Sequence, residues 1–216
     1  MSLARPHRQA GLAVLDPETG AVLRVVTLQL TPDGSSRTVA PRGGGDDGAD
    51  PLEIRRLTGP PIETITLEAE LDAIDLVVGA DPTAAGVAAE VGLHAVLAEL
   101  EGLVRPALAD VLAAHELAES GAFEVLGPGQ PDVLLVWGRH RVVPVRVTDL
   151  SITEEGYDGE LNPLRATVSL SLRVLTVNDV GVASRAGSWA LAQHAGAEAL
   201  AARVLTTSAS RLGVDL

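Results

Sequence analysis

Residues 131–177 have the sequence PDVLLVWGRHRVVPVRVTDLSITEEGYDGELNPLRATVSLSLRVLTV, and this stretch decides the fold. From residue 164 to residue 174 apolar and polar side chains alternate, which is the period of a half-buried β-strand. The apolar face of this strand comprises Leu164, Ala166, Val168, Leu170, Leu172 and Val174. The polar face comprises Arg165, Thr167, Ser169, Ser171 and Arg173. Upstream, two β-branched runs at 133–137 and 142–147 flank Gly138-Arg139-His140, so the whole stretch predicts a three-stranded antiparallel meander.

The first half of the chain contains two further strand patterns. Residues 22–30 are rich in Val and Leu and end at the turn-forming sequence TPDG. Residues 62–76 alternate again, with Glu68, Glu70 and Asp72 on the outer face. On one strand face these carboxylates are about 7 Å apart in solvent, so we interpret them as a solvated surface and not as catalytic acids. The Gly- and Asp-rich stretch 41–51 predicts an exposed loop, because its carboxylates lack the spacing of a calcium site.

Helices are predicted in three places. Residues 87–104 carry an apolar stripe at helical spacing, and Pro106 should end that helix. A second helix is predicted over 107–120, with its apolar side chains directed inward (Leu108, Val111, Leu112 and Leu117). An Ala-rich C-terminal helix is predicted over 189–205.

Composition limits the classes of function. The chain has 216 residues, of which 46% are hydrophobic and only 2% aromatic, so a core of Leu, Val, Ala and Ile offers few large anchors for a ligand. Its net charge of −13 would repel nucleic acid and anionic lipid, and we expect neither as a partner. The absence of cysteine excludes disulfides and thiolate metal sites. Residues 1–20 do not resemble a signal peptide and no apolar run is long enough to insert into a membrane, so we expect assembly in the cytoplasm.

Sequence motifs for chemistry are missing. The five histidines are far apart in sequence, and none forms a zinc-type pair. There is no nucleophile elbow, Walker loop or dinucleotide-binding glycine motif. The Arg139-His140-Arg141 cluster fits an exposed hairpin tip better than an anion site. We therefore expect no catalytic residue, cofactor or metal, and a structural or binding protein.

Beyond periodicity, several segments resemble the tube-type domain of phage-tail-like contractile injection systems. The resemblance is to the adaptor proteins between inner tube and spike, whose longer members add a peptidoglycan-binding LysM module. The matching segments are Trp137-Gly138, the sequence VPVRVTDLSITEEGYD, and Leu161-Asn162-Pro163-Leu164-Arg165-Ala166. Weaker matches are LQLTP at 28–32, PPIETITLEAELDAID at 60–75 and GLHAVLAELEGLVRP at 92–106. Nothing after residue 177 resembles the LysM module.

The resemblance implies an α+β, mainly β fold: a tube-type β-sandwich or split barrel with one packed helical segment and a C-terminal helical extension. The expected organisation is an N-terminal arm or first strand at 1–21, a β domain at 22–180 and the extension at 181–216. Within the β domain lie the loop 41–51, the helical segment 87–120 and the meander 131–177. Subunits of this kind pair strand edges into a ring, which would also cover otherwise open edges.

Three functions follow as hypotheses. The first is a structural subunit of a contractile injection particle, in a ring of six copies or alternatively three, contacting inner tube, spike and baseplate proteins. The particle is either kept in the cell or released. The second is a β-sandwich module that binds a small ligand or peptide through its loops. The third, more remote, is a cell-wall hydrolase. Under the first hypothesis the polar row Arg165, Thr167, Ser169, Ser171 and Arg173 is a subunit-contact or lumen face.

Overall fold

The computed structural model describes residues 10–16, 19–27, 35–43, 56–79, 81–121 and 130–203. Its strands are β1 (Gly11–Leu15), β2 (Val22–Thr27), β3 (Ser35–Gly43), β4 (Leu57–Asp72), β5 (Asp132–Val136), β6 (Val142–Tyr157) and β7 (Pro163–Val174). Its helices are α1 (Ala73–Val78), α2 (Pro82–Val91), α3 (His94–Glu101), α4 (Leu108–Glu119), α5 (Val177–Val180) and α6 (Arg185–Ala201). The strands form one antiparallel seven-stranded sheet in the order β2-β1-β5-β6-β7-β4-β3.

The α+β, mainly β class is therefore confirmed. Within that class the arrangement differs from a sandwich or a split barrel, because the described strands form a single open sheet. The hydrophobic core lies on one face of this sheet, where side chains of six strands pack against residues in and beside α3. The helical partners of the sheet are Leu93, Leu97, Leu100 and Leu103, all at most 3% exposed. One helical segment is thus enough to cover the apolar face.

The predicted meander is confirmed as β5, β6 and β7. In β7 the even-numbered residues from Ala166 to Val174 are buried and the residues between them are not, so the face assignment is correct. Strand β6 is longer than the run 142–147 suggested, because a bulge between Val147 and Asp149 shifts the alternation by one residue. After this bulge Leu150 and Ile152 again point to the core, opposite Leu170 and Val168.

The helix predicted over 87–104 is instead two helices, α2 and α3, which meet at an angle of 101°. The break is at Gly92, whose φ of +59° is strained for any other residue. A Cβ at Gly92 would lie 2.5 Å from the carbonyl oxygen of Pro163, and the next N–H, of Leu93, donates to that oxygen at 2.9 Å. The break therefore attaches the helical segment to the start of β7.

Three other boundaries differ from the sequence predictions. The strand predicted to reach residue 76 ends at Asp72, whose carboxylate accepts from the Ile74 N–H and so caps α1. Residues 41–43 of the predicted loop belong to β3, and residues 44–51 lie outside the described part of the chain. The C-terminal helix begins at Arg185, four residues early, because the Ser184 hydroxyl caps it by accepting from the Gly187 N–H.

The helix predicted over 107–120 forms as α4, but the prediction that its apolar side chains are buried is wrong. Leu108, Val111, Leu112 and Leu117 are 73, 44, 54 and 42% exposed, and α4 has no buried residue. Helical spacing predicted the helix without indicating whether a partner covers it.

Near the N-terminus, β1 lies between β2 and β5 with all five residues buried, so it is a strand of the sheet.

Candidate subunit-contact or lumen face

The predicted polar row of β7 is the centre of a larger polar surface. Strand β7 lies between β6 and β4, and the cross-strand register aligns polar residues of all three strands on the side opposite the core. Strand β6 contributes Arg146, Asp149, Ser151, Thr153 and Glu155, and β4 contributes Thr64, Thr66, Glu68, Glu70 and Asp72. Two further residues, Ser36 and Thr38, extend the surface onto β3. We call this four-stranded surface the polar face.

One end of the row is tied to β4 by an ion pair. Arg165 Nε donates to Asp72 Oδ2 at 3.2 Å, directly across the strand pair. The Arg165 side chain is 68% exposed, so the pair contributes at most about 1 kcal/mol to stability. Its main effect is to orient the arginine along the sheet surface.

The other end of the row contacts α5. Arg173 Nη2 donates to Asp179 Oδ1 at 2.8 Å, and Arg42 Nη2 from β3 lies 3.6 Å from the same oxygen. The second oxygen of Asp179 accepts from the N–H and the hydroxyl of Thr176, at 3.0 and 2.8 Å, in the capping box of α5. One carboxylate therefore connects β3, β7 and α5.

The environment of Asp179 favours its charged form. Burial alone would raise the pKa of this carboxyl, but the two hydrogen bonds from Thr176 and then the charges of Arg173 and Arg42 outweigh it and lower the pKa. Beside it, Arg42 Nε is buried without a hydrogen-bond partner among the described residues. At the Arg173 end of the polar face, positive charges therefore outnumber negative charges.

Because β7 is an interior strand of the sheet, its polar row can make only some kinds of contact with a partner. An interior strand has both of its backbone edges paired, so Arg165, Thr167, Ser169, Ser171 and Arg173 can contact a partner only through their side chains. Among the described strands, unpaired backbone is found on β2 and β3, at the two ends of the sheet, and on part of β6. In the described part of the chain β3 is the last strand of the sheet, and β6 pairs with β5 only at residues 142–145.

Over residues 149–157, β6 therefore pairs with no other described strand on this side, and the sequence analysis missed this open edge. Its signal in the sequence is the shift of alternation at VTDL, where Val147 and Leu150 are both apolar although three residues apart. That shift indicates a bulge and a continued strand beyond it. At the bulge the Thr148 hydroxyl donates to the Ser171 carbonyl at 3.0 Å, and Gln130 caps the Val147 carbonyl at 3.3 Å.

On β5 and β1 the same side of the sheet becomes apolar, and α6, which contacts β6, lies beside it. Ala13, Leu15 and Leu134 form a small second cluster there, and Trp189 of α6 lines a crevice of about 10 Å³ with Leu134 and Leu15. The exposed polar face is thereby confined to β6, β7, β4 and β3.

The described ranges contain no group of three or more His, Asp or Glu side chains arranged to hold a metal ion. The Arg139-His140 hairpin tip is exposed, and there Arg139 Nε donates to His140 Nε2 at 2.7 Å.

Within the described ranges no single helix has the length and apolar character of a membrane span, and only the sharply bent pair α2–α3 meets that test jointly.

No protein-family model matches the chain. No curated protein matches it either. Among solved structures, a chain from the virion of a native gene transfer agent particle is 11% identical, with a TM-score of 0.29, over 80% of this chain and 95% of that chain. A chain from the tail of an empty gene transfer agent particle, with C6 symmetry, is 10% identical, with a TM-score of 0.30 and the same two coverages. TM-scores of 0.29 and 0.30 do not establish a common fold, so what this chain does has to follow from its own residues.

Proposed function

We propose that this protein is a structural, non-enzymatic subunit of a phage-tail-like contractile injection system and forms a ring at the junction of inner tube, spike and baseplate. The sequence of residues 131–177 supports the class of particle, through its resemblance to tube-type adaptor domains. The observation that carries the ring is the pair of bare strand edges on either side of the polar face. Such edges invite pairing with another chain unless they are covered.

The two edges are compatible in direction. In the sheet, β6 and β3 are separated by β7 and β4, and each adjacent pair is antiparallel, so β6 and β3 run in opposite directions. If copies are related by rotation about a ring axis from which the strands are tilted, β3 of one copy meets β6 of the next in antiparallel orientation. The polar faces of all copies then point to the same side, toward the lumen, and α3 covers the outside.

The two edges are also staggered as a closed ring requires. Strand β3 begins at Ser35, at the level of Leu170, and runs toward the Val174 end of β7, whereas the bare edge of β6 runs from Ser171 toward Pro163. In closed sheets the strands tilt by roughly 35–45°, so each strand is displaced along its neighbour. A tilt of this size, accumulated over four strands, brings β3 alongside the bare edge of β6.

Charge supports the same pairing. The edge of β6 carries Asp149, Glu154 and Glu155, while β3 carries Arg37 and Arg42. Arg37 also pairs with Glu63 in its own chain, which orients it beside the edge. Opposite charges facing each other across a strand pair are favourable, whereas like charges are not. Pairing β3 with β3, or β6 with β6, would bring like charges together.

The binding-module alternative has less support. Ligand pockets usually enclose about 300–1,000 Å³. The crevice under α6 has about 10 Å³, and the groove of about 540 Å³ between β2 and α4 is open to solvent. On this proposal the protein assembles in the cytoplasm from six copies, with three as the alternative, and leaves the cell with the particle.

Disulfide trapping tests the ring. Because the chain has no cysteine, Thr38→Cys can be combined in turn with Ser151→Cys, Thr153→Cys and Glu155→Cys. Three strand spacings, or about 14 Å, separate β3 from β6 within one chain, beyond the reach of a disulfide. We expect at least one of these cysteine pairs to form disulfides between copies, which gives a ladder of covalent oligomers. The largest oligomer of the ladder should contain as many chains as the ring. Thr38→Cys alone should give no ladder.

The mass of the unmodified protein is the second measurement. The particle mass measured by light scattering should be a multiple of the chain mass of 22.2 kDa. That multiple should equal the number of chains in the largest oligomer of the ladder. A monomer at every concentration, together with no ladder from any of the three pairs, would overturn the proposal.

A further inference from the structure

Two arginines lie directly opposite each other on the polar face. In the register of β6 and β7, Arg146 is the partner of Arg173, and the residues on either side of each arginine are buried, so both side chains are on the side away from the core. The Cβ atoms of such opposite residues are about 5 Å apart, and like charges at this distance destabilise the strand pair. At the other end of the row, by contrast, Arg165 faces Asp72. The pair Arg146–Arg173 therefore lacks the counter-charge that Arg165 has.

One nearby carboxylate, Asp179, supplies only part of that counter-charge. Its Oδ1 accepts from Arg173 at 2.8 Å and lies 3.6 Å from Arg42 Nη2, and its Oδ2 accepts two hydrogen bonds from Thr176. The Arg146 side chain has no ion pair or hydrogen bond within the described part of the chain, and the Nε of Arg42 is buried there without a partner. Three guanidinium groups therefore share one carboxylate, and the cluster retains two positive charges.

The other carboxylates of the polar face lie farther along the strands. On β6, Asp149 follows the bulge and aligns with Ser171 instead of Arg173. On β4 the carboxylates of this face begin at Glu68, whereas the residue directly opposite Arg173 is Thr64. The nearest polar neighbours of the arginine pair on β7 and β4 are thus hydroxyl groups, which can donate hydrogen bonds to an anion.

We infer that the pair Arg146–Arg173, with Arg42 beside it, binds a tetrahedral dianion of the phosphate type, and we call these three residues the arginine site. Guanidinium groups bind phosphate through two parallel N–H···O bonds each, and adjacent strands hold the two groups at a spacing that one phosphate can bridge. A dianion neutralises both excess charges, whereas a carboxylate leaves one of them. The inference goes beyond the proposed ring and does not depend on it, because all three arginines belong to one chain.

Calorimetric titration with inorganic phosphate tests the arginine site. The titration uses the 216-residue chain at about pH 8, where phosphate carries mostly two charges, and at constant ionic strength, so that screening alone gives no signal. We expect one phosphate per chain, and binding weaker by roughly tenfold or more in Arg146→Gln, which loses one of the two guanidinium groups.

Arg105→Gln is the matched control for this titration. Arg105 follows α3 on the opposite side of the sheet, and its side chain is 70% exposed, so this variant removes the same charge away from the site and should bind phosphate like the parent. Binding that Arg146→Gln leaves unchanged, an equal loss in Arg105→Gln, or no saturable binding by the parent would overturn the inference.

Thermal unfolding provides a second measurement, which a purely structural role of Arg146 would not change in the same way. Without phosphate, Arg146→Gln should melt no lower than the parent, because it removes the repulsion from Arg173. Phosphate should raise the melting temperature of the parent, since a ligand that binds only the folded state stabilises it. The increase should be much smaller in Arg146→Gln, and an increase as large as that of the parent would contradict the site.

Titrations with adenosine monophosphate and acetate distinguish the possible ligands. Adenosine monophosphate carries the dianionic group as an ester, so binding equal to that of inorganic phosphate supports a free phosphate, and tighter binding supports the phosphate of a larger molecule. Acetate carries one charge, and acetate that binds as tightly as phosphate would contradict a site for a dianion. The site and the ring can fail separately, because absence of phosphate binding leaves the ring standing and absence of the disulfide ladder leaves the arginine site standing.

Discussion

Ser169 and Leu170 are consecutive in β7, yet they occupy opposite environments. Leu170 is 1% exposed and packs in the core, whereas Ser169 lies on the polar face between Glu68 and Ser151. This difference arises because successive side chains of a strand point to opposite sides of the sheet. Identical substitutions at these two positions should therefore have very different costs.

We expect Leu170→Asp to destabilise the domain by several kcal/mol, because it places a carboxylate without a partner in the core. Ser169→Asp should change the free energy of unfolding by less than about 1 kcal/mol, although it adds to the negative charge of Glu68. Urea denaturation followed by circular dichroism measures both. Equal losses in the two variants would contradict the assignment of the faces.

Asp179 is the residue at which stability should depend most clearly on pH. Its pKa is lowered in the folded state, so its contribution is fully present above the unfolded pKa, near 4, and disappears as the pH falls through the folded pKa. Asp179→Asn should cost about 1–2 kcal/mol at pH 7, since it weakens hydrogen bonds from Thr176 and removes the charge that faces Arg173 and Arg42.

The unfolding free energies of the parent and of Asp179→Asn should converge as the pH falls below 4, measured by urea titration at several pH values. The control is Asp110→Asn, at an acidic residue in the first turn of exposed α4, which should show a much smaller difference at pH 7. A difference for Asp179→Asn that stays constant down to acid pH would contradict the role of its charge.

At the scale of elements, the break between α2 and α3 determines how the helices cover the sheet. Gly92→Ala should destabilise the protein by about 2 kcal/mol or more, because its backbone conformation is accessible essentially to glycine alone and a Cβ would collide with the Pro163 carbonyl. Gly86→Ala in α2 is the matched control. Nothing lies within 4 Å of a Cβ there, so the better helix former should stabilise the protein by up to about 1 kcal/mol.

Thermal unfolding of these two variants should therefore shift in opposite directions. If Gly92→Ala melts at the temperature of the parent, Gly92 does not set the angle between the helices.

The bulge in β6 can be tested by deletion. Removing Thr148 makes Val147 and Asp149 consecutive, so the alternation becomes regular and Leu150 and Ile152 keep facing the core. We therefore expect the deletion to cost no more than about 1–2 kcal/mol. Thr148→Ala keeps the residue count and loses only the hydrogen bond to the Ser171 carbonyl, which should cost about 1 kcal/mol. Hydrogen exchange of the β7 amides should increase little in both variants, and a strong increase in the deletion would show that β6 needs the bulge to pair with β7.

Local pattern predicted the elements better than it predicted their partners. Alternation was sufficient for β7 and its two faces, and the β5–β6–β7 meander followed from short connections. The position of β1 between β2 and β5 could not be predicted, because its pairing with β5 joins residues more than a hundred positions apart. Exposure of α4 was missed for a related reason, since spacing specifies which residues share a helix face without specifying what covers that face.

The candidate face was predicted only in part. The row on β7 was found from its period, and the acidic row on β4 was recognised as solvated. Their adjacency depends on the register Glu68↔Ser169, which is a tertiary property. The role of Asp179 was missed, because no local pattern indicates its contacts and its partner Arg42 lay in a stretch predicted to be a loop.

At the scale of the whole molecule, the position of β7 between β6 and β4 separates the two roles considered for its polar row. A contact face would be covered in the assembled ring, whereas a lumen face would stay wet. Among the described strands, the open edges that border the polar face lie on β6 and β3, so we expect contacts there and an open row on β7.

Ser169→Cys tests this distinction. In the assembled ring its thiol should react with a small maleimide as fast as Glu119→Cys on exposed α4, and much more slowly with a maleimide carried on a large polymer that cannot enter the lumen. Protection of Ser169→Cys from the small reagent would indicate a contact face. Equal reaction of both cysteines with the large reagent would contradict a lumen.

The strand order also has a consequence for synthesis. Strands β1 to β4 leave the ribosome first, yet β1 and β4 pair with β5 and β7, which are made last, so only the β1–β2 and β3–β4 hairpins have their partners early. The β5–β6–β7 meander is local in sequence and can form quickly, and the earlier hairpins then add to its two sides, a slow step because long loops must close. Until then the N-terminal half exposes apolar strands and is prone to aggregate. A cell that makes this protein would therefore benefit from a chaperone acting on the first hundred or so residues.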